Sequence, residues 1–258
     1  MSAAETLSDP ATGVGPRFHW LRVADVRAET PEAISVTFEV PRELASVYAF
    51  RAGQYLTVRT TLDGEEVRRS YSICSAPDDG ELRIAIKRVD GGVFSVWAQD
   101  ALRPGVAIEA MTPVGRFGVP EAAGAARVHV AFAAGSGITP VLSIMKTVLA
   151  REPGSRFFLF YGSRTTGEIL FRSTLEDLKD RYLGRLSVFH VLSQEQQDVP
   201  VLNGRLERDK LRVLLPLMLG GAAIDHAYIC GPTGMMLVAP SLSITPVPAN
   251  ATFIACLA

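Results

Sequence analysis

The stretch Arg127-Val-His-Val-Ala-Phe-Ala-Ala134, running into Gly135-Ser-Gly-Ile-Thr-Pro140, constrains the fold more than any other part of this chain. An unbroken apolar run followed by two glycines and then helical spacing predicts a buried strand that turns sharply into a helix. Thr139 is expected to cap that helix with its hydroxyl, with Pro140 at the first helical position, where a missing N–H is tolerated. Val141, Ile144, Met145 and Val148 then form one apolar face, and Pro153-Gly154 closes the helix. A glycine turn feeding a helix N-terminus gathers unpaired N–H groups at the positive end of the dipole. Two readings follow, a seat for a phosphate or a tight turn that binds nothing. The stretch is not the G-x-G-x-x-G fingerprint, because Pro140 stands where the third glycine belongs.

Upstream of this turn the dominant signal is two-residue alternation. Ile34, Val36, Phe38 and Val40 share one face, as do Leu82, Ile84 and Ile86, and further strands are expected over Leu21–Val26, Tyr55–Thr60, Val67–Ile73 and Val106–Met111. Six short strands separated by turn residues predict an antiparallel β-barrel, interrupted by one helix that starts near Gly92. Periodicity is then lost over 119–126, which reads as a connector.

Downstream the pattern alternates strand and helix. Strands are expected over Arg156–Tyr161, Leu186–Leu192 and His226–Cys230, with helices from a capping box at Ser173-Thr-Leu-Glu176 to Gly184 and over Arg208–Leu219. Such alternation implies a parallel sheet whose ligands lie beyond the carboxyl ends of its strands, where Gly135, Gly162 and Gly231 fall. The fold class is therefore two domains, an antiparallel β-barrel over 18–120 and an α/β parallel-sheet domain over 127–236, with a disordered lead-in over 1–17 and an atypical tail over 237–258. At 258 residues and 48% hydrophobic content the chain can bury two cores of this size.

Charge excludes some function classes. With 26 basic and 27 acidic residues there is no global field to recruit nucleic acid or an anionic membrane. The apolar run Val213–Leu219 is broken by Pro216 and is too short to span a bilayer, and the lead-in lacks the pattern of a signal peptide. Three cysteines, Cys74, Cys230 and Cys256, make neither a disulfide framework nor a metal-ligand spacing, which fits a reducing cytoplasm. Cys74 reads as a strand filler, His129 as a residue at the sheet margin and Trp97 as packing on the inserted helix.

Arg68-Arg69-Ser-Tyr-Ser-Ile-Cys-Ser75 is the second informative stretch. An arginine on a strand can pair with a phosphate, a tyrosine two residues on can stack on a flat ring from the same face, and the next serine can bond that ring's edge. An ordinary half-exposed strand is the alternative. Gly91-Gly92-Val-Phe-Ser95 either receives a pyrophosphate at a helix start or merely turns the chain.

In this order, Arg69-Ser-Tyr-Ser72, Gly91-Gly92-Val-Phe-Ser95, Gly135-Ser-Gly-Ile-Thr-Pro140, Tyr161-Gly-Ser-Arg164 and Cys230-Gly-Pro232 resemble the ferredoxin-NADP reductase superfamily of flavoproteins over roughly residues 18 to 236. Ile169-Leu-Phe-Arg172 followed by Leu175-Glu-Asp-Leu-Lys179 is similar to the reductase subunits of phenylacetyl-CoA oxygenase (epoxidase) systems. The resemblance implies an FAD-binding barrel followed by a nicotinamide-nucleotide domain. It places Arg69 at the FAD phosphates, Tyr71 on the isoalloxazine ring and Ser72 at its reactive edge, with Ser70 between them among the cofactor-binding residues. Gly92, Val93 and Ser95 would hold the pyrophosphate, while Gly135, Gly137 and Thr139 would receive the nicotinamide nucleotide. Cys230 and Gly231 would border its reacting ring, with Pro232 next to them among the cofactor-binding residues, and Ser72 and Cys230 are the residues expected at the hydride path. Ser163, Arg164 and Arg172 follow the second strand of the α/β domain, with no acid at the first two positions to bind a free ribose. This arrangement favours NADPH over NADH, unless Arg164 is only a solvated surface arginine. The implied partner is an iron-sulfur protein or oxygenase component that takes electrons singly.

Relatives of the phenylacetyl-CoA type continue into a plant-type ferredoxin domain, which needs four cysteines. This chain has three in all, so no iron-sulfur cluster is expected in it. Past Met236, Pro240, Pro246 and Pro248 are expected to exclude the next helix and leave the sheet less covered, although Thr252–Leu257 can form a short strand. A non-catalytic remnant that binds flavin or a partner without turnover is the rival reading.

Overall fold

The computed structural model describes residues 16–119, 125–238 and 252–257. The proposed lead-in up to residue 15, positions 120–124 of the connector, and 239–251 with 258 in the tail lie outside the described residues.

Strands β1 (Phe18–Thr30), β2 (Ala33–Glu39), β3 (Tyr55–Leu62), β4 (Glu65–Ser72), β5 (Leu82–Lys87) and β6 (Ala107–Met111) form one antiparallel sheet in the order β4-β3-β6-β1-β2-β5. An antiparallel bridge between Ile73 and Ile84 joins its two ends and closes the barrel. Alternate residues point inward, so Leu21, Val36, Leu56, Ile84 and Ile108 share one core. Helix α1 (Val93–Ala101) packs against that core with Phe94 and Ala98. Strand β1 is longer than its alternation suggested, because register shifts between Val23 and Asp25 and between Ala28 and Thr30 break the two-residue period that would have revealed its full length.

The second sheet is wholly parallel. Its strands are β7 (Val128–Ala134), β8 (Arg156–Ser163), β9 (Leu186–Leu192), β10 (His226–Gly231) and β11 (Thr252–Leu257), in the order β11-β10-β7-β8-β9. Helices α2 (Ile138–Arg151) and α3 (Arg172–Arg181) cover one face, and α4 (Arg208–Leu219) covers the other. Coverage on both faces explains why β7 and β8 read as continuous apolar runs rather than alternating ones.

Four expectations require correction. A 3-10 turn over Gly135–Gly137 makes the chain helical early, so α2 starts at Ile138 from Gly137, and the Thr139 hydroxyl donates backward to the Ser136 carbonyl (2.8 Å) instead of capping. Pro140 consequently sits third in the helix, still within the turn whose N–H groups need no partner. The capping box at Ser173–Glu176 does not form. Phe171, buried and held at φ +58°, sets the entry to α3, while Glu176 pairs with Arg172 (3.0 Å). The prolines do not exclude the next helix either, since α5 (Thr233–Val238) ends two residues before Pro240, and a proline restricts mainly the residue that precedes it.

The fourth correction concerns His129, which is 0% exposed rather than marginal. Its Nε2 lies 3.2 Å from a Glu152 carboxylate oxygen and its Nδ1 lies 3.1 Å from the Tyr228 hydroxyl. Ser155 donates to Glu152 (2.6 Å), and Arg127 forms an ion pair with it. Burial pushes the His129 imidazole down to about 4, against the raising influence of Glu152. Burial also opposes ionisation of Glu152, but the Arg127 and Ser155 hydrogen bonds outweigh it and hold that carboxyl below its ordinary value.

Helix α2 joins the two domains. Ser143 donates to the Ser75 carbonyl (2.6 Å), Arg151 makes two 2.7 Å bonds to Asp78, and Lys146 pairs with Asp79.

Candidate functional site

The strand ends of both sheets face one cleft of about 700 Å³. From the barrel come Arg69, Ser70, Tyr71 and Ser72 at the end of β4, with Gly92 and Ser95 at the start of α1. Opposite them, the α/β domain supplies Ser136, Thr139, Arg164 and Cys230. Residues from distant parts of the chain meet here because a closed barrel presents the end of β4 toward the carboxyl ends of β7, β8 and β10.

Tyr71 is half-buried and packs on Phe94, with ring centroids 5.8 Å apart. Burial pushes its phenol up to about 12, opposed by the Arg69 charge, so the ring is neutral and suited to stacking. The Arg69 guanidinium donates to the Arg68 carbonyl (2.7 Å) and enters no ion pair among the described residues, leaving its charge for a ligand. At the start of α1 no side chain caps the helix, and a methyl group added to Gly92 would stand 2.6 Å from the Ser95 hydroxyl and 2.9 Å from the Val89 carbonyl. Only glycine fits that cradle. Ser95 itself accepts from the Val89 N–H (3.1 Å), so its hydroxyl shapes the loop around the helix start. A cation without a carboxylate, an uncapped helix start and a half-buried aromatic ring together match the chemistry of a flavin dinucleotide's phosphates and ring.

The remaining expected residues lie behind or outside the lining. Val93 is 55% exposed, Arg172 is engaged with Glu176 on α3, and the Ser163 hydroxyl is buried beside Tyr161. Gly135, Gly137, Gly231 and Pro232 do not line the cleft. The cleft also contains Glu32, Lys87, Arg88 and Asp90, which the motifs did not flag. Lys87 and Arg88 were discoverable as cations ending a strand just before Gly91-Gly92. Glu32 gave no such signal, since it belongs to a β1–β2 turn whose position over the cleft is a tertiary fact. Among the described residues no group of three or more His, Cys, Asp or Glu is placed to hold a metal, and no helix is long and apolar enough to cross a membrane.

Comparison with known proteins finds two family matches in the chain. The oxidoreductase FAD-binding domain family matches residues 21–118, and the oxidoreductase NAD-binding domain family matches residues 132–240. A component of the 1,2-phenylacetyl-CoA epoxidase of Escherichia coli is 45% identical over 85% of this chain, which spans 62% of that protein's length. Ferredoxin-NADP reductase B of Sorangium cellulosum is 32% identical over 81% of this chain and 84% of its own. Among solved structures, a ferredoxin NADP+ reductase from Neisseria gonorrhoeae superposes with a TM-score of 0.75 at 19% identity, over 92% of this chain and 98% of that one.

Proposed function

The chain belongs to the ferredoxin reductase-like oxidoreductases, built from an FAD-binding and an NAD-binding domain, and from that premise we propose that it takes hydride from NADPH onto FAD and delivers electrons singly to an iron-sulfur protein. By its likeness to the Escherichia coli epoxidase component, the acceptor belongs to an oxygenase system of that kind, such as phenylacetyl-CoA epoxidase. The observation that carries the reading is the single cleft, which sets Tyr71 and Ser72 of the barrel across from Thr139 and Cys230 of the α/β domain.

FAD supplies a centre that accepts two electrons together and releases them one at a time. This chain's residues bind and align. Arg69, with the uncapped start of α1 at Gly92, neutralises phosphate charge, and Tyr71 provides a flat apolar platform braced by Phe94. Ser72 offers a hydroxyl at the edge of that platform. Thr139 and Ser136 offer the opposite wall, and the buried Cys230 closes the cleft with a small apolar side chain that lets two planar rings approach. No side chain has to move a proton for the hydride step. Arg164 directs a cation into the cleft and is the residue suited to a 2'-phosphate, so NADPH is the proposed donor.

The test is an absorption spectrum of purified, FAD-loaded protein before and after anaerobic NADPH. Rapid bleaching of the yellow colour is the expected result. Bound flavin that does not bleach with either NADPH or NADH would replace this reading with that of a non-catalytic flavin-binding module.

A further inference from the structure

Arg164 does not stand alone in the cleft. Its Nε donates to Glu168 (2.6 Å), four residues along the same domain, and its terminal nitrogen donates to Glu32 (3.1 Å), which belongs to the barrel. Lys87 of the barrel lies 3.7 Å from Glu168. The two carboxylates differ in kind. Glu168 travels with Arg164, whereas Glu32 reaches it across the domain boundary from a braced turn. The Glu32 N–H donates to Thr30 (3.3 Å) and its carbonyl accepts from the Arg88 N–H (2.7 Å). Both Glu32 and Arg164 line the cleft.

From this arrangement we propose that Glu32 is a specificity-determining residue for the nicotinamide nucleotide, its carboxylate holding the face of Arg164 that a 2'-phosphate needs and being exchanged for that phosphate on binding. The proposal rests on the assignment of Arg164 to the 2'-phosphate given above. Exchange is feasible because the Arg164 and Glu32 side chains are about half exposed, at 49% and 47%, and pairs of that exposure are weak and open to water. A phosphate with up to two negative charges and three acceptor oxygens competes well against one such carboxylate. The penalty falls on one class of ligand only. A nucleotide with a free 2'-hydroxyl has no call on Arg164 and leaves the clasp intact, whereas a 2'-phosphorylated nucleotide must displace Glu32 and then lies near its charge.

The experiment measures binding of adenosine 2',5'-bisphosphate and of 5'-AMP to the full FAD-loaded chain by titration calorimetry, in wild type and in Glu32→Gln, Glu32→Ala and Arg164→Ala. Both Glu32 variants should bind the bisphosphate three- to tenfold more tightly, about 0.7 to 1.4 kcal/mol, with 5'-AMP changed less than twofold. Retained flavin content shows that each variant is folded. No change in bisphosphate affinity, or an equal gain for 5'-AMP, overturns the proposal. If Arg164→Ala weakens the bisphosphate while the Glu32 variants do nothing, the Arg164 assignment survives and this inference fails. If Arg164→Ala also does nothing, both fall.

Discussion

Gly137 lies so close to the end of β10 that a methyl group added to it would stand 2.1 Å from the carbonyl oxygen of Cys230. The contact is backbone on backbone, so no side chain can rotate away to relieve it. Replacing Gly137 with Ala is therefore expected to force α2 and β10 apart at the wall of the cleft. An overpacking penalty of about 1 to 3 kcal/mol should lower the melting temperature by several degrees, and nucleotide binding should weaken with it. An unchanged melting temperature would show that the turn absorbs the methyl group by moving.

Arg69 enters no ion pair among the described residues, so its removal should be felt mainly by a ligand. In Arg69→Ala the affinity for FAD should drop by roughly 1.5 to 3 kcal/mol, the usual range for hydrogen bonds to charged groups, while the melting temperature of the flavin-free protein stays near wild type. Fluorescence titration of stripped protein with FAD measures this directly. Equal affinities in variant and wild type would remove Arg69 from the phosphate site.

The ratio of kcat/KM for NADPH to that for NADH should fall on the order of tenfold in Arg164→Ala, which corresponds to about 1.4 kcal/mol. The NADH value itself should hardly move. Steady-state rates with ferricyanide as acceptor are sufficient, and a ratio that does not change means that the 2'-phosphate is recognised elsewhere.

Stability should decline on mild acidification. His129 and His190 are both pushed down to about 4 from an ordinary 6.5, burial being the main cause in each. A histidine whose folded value is depressed stays neutral while the unfolded chain takes up a proton, so the unfolded state binds more protons between those two values. The contribution is complete above about pH 6.5 and is lost progressively as pH falls toward 4. Glu152, held below its ordinary 4.5, adds a loss in the same direction at lower pH. Melting curves should be nearly level from about pH 7.5 to 6.5 and fall continuously from there to about pH 5, less steeply in His190→Phe. A level profile over that range would contradict the burial of these imidazoles.

Purified anaerobically, the chain should carry no stoichiometric iron, since a plant-type cluster needs four thiolates and this sequence has three cysteines. NADPH should still drive ferricyanide reduction, whereas cytochrome c reduction should require an added ferredoxin. Iron at two atoms per chain would sink this prediction at once.

Much of the architecture was legible because its signals are local. The alternation in β2 and β5, the apolar runs of β7 and β8, and the glycine turn before α2 each report a periodicity or a backbone need that a short window contains. The candidate residues Arg69, Tyr71, Ser72, Gly92, Thr139 and Cys230 stood out for a different reason, since they sit in compact motifs at element ends, and the structure brings them to one cleft. The failures have both local and tertiary causes. Thr139 looked like a cap until the 3-10 turn placed it inside the helix, and Ser173 looked like one until the burial of Phe171 fixed the entry to α3. His129 carried no local mark of its burial, because Glu152, Ser155 and Tyr228 come from other places in the chain. Glu32 was silent for the same reason.

The fastening of α2 to the barrel has a mechanical consequence. Its attachments at Ser143, Lys146 and Arg151 are spread along eight residue steps, about 12 Å of axis, on the same helix whose N-terminus forms a wall of the cleft. Anchors spread that far apart resist both sliding and tilting of α2 against the barrel. The Tyr71 wall and the Cys230 wall are thereby held in register along the axis of the helix, like two pages sewn to one spine.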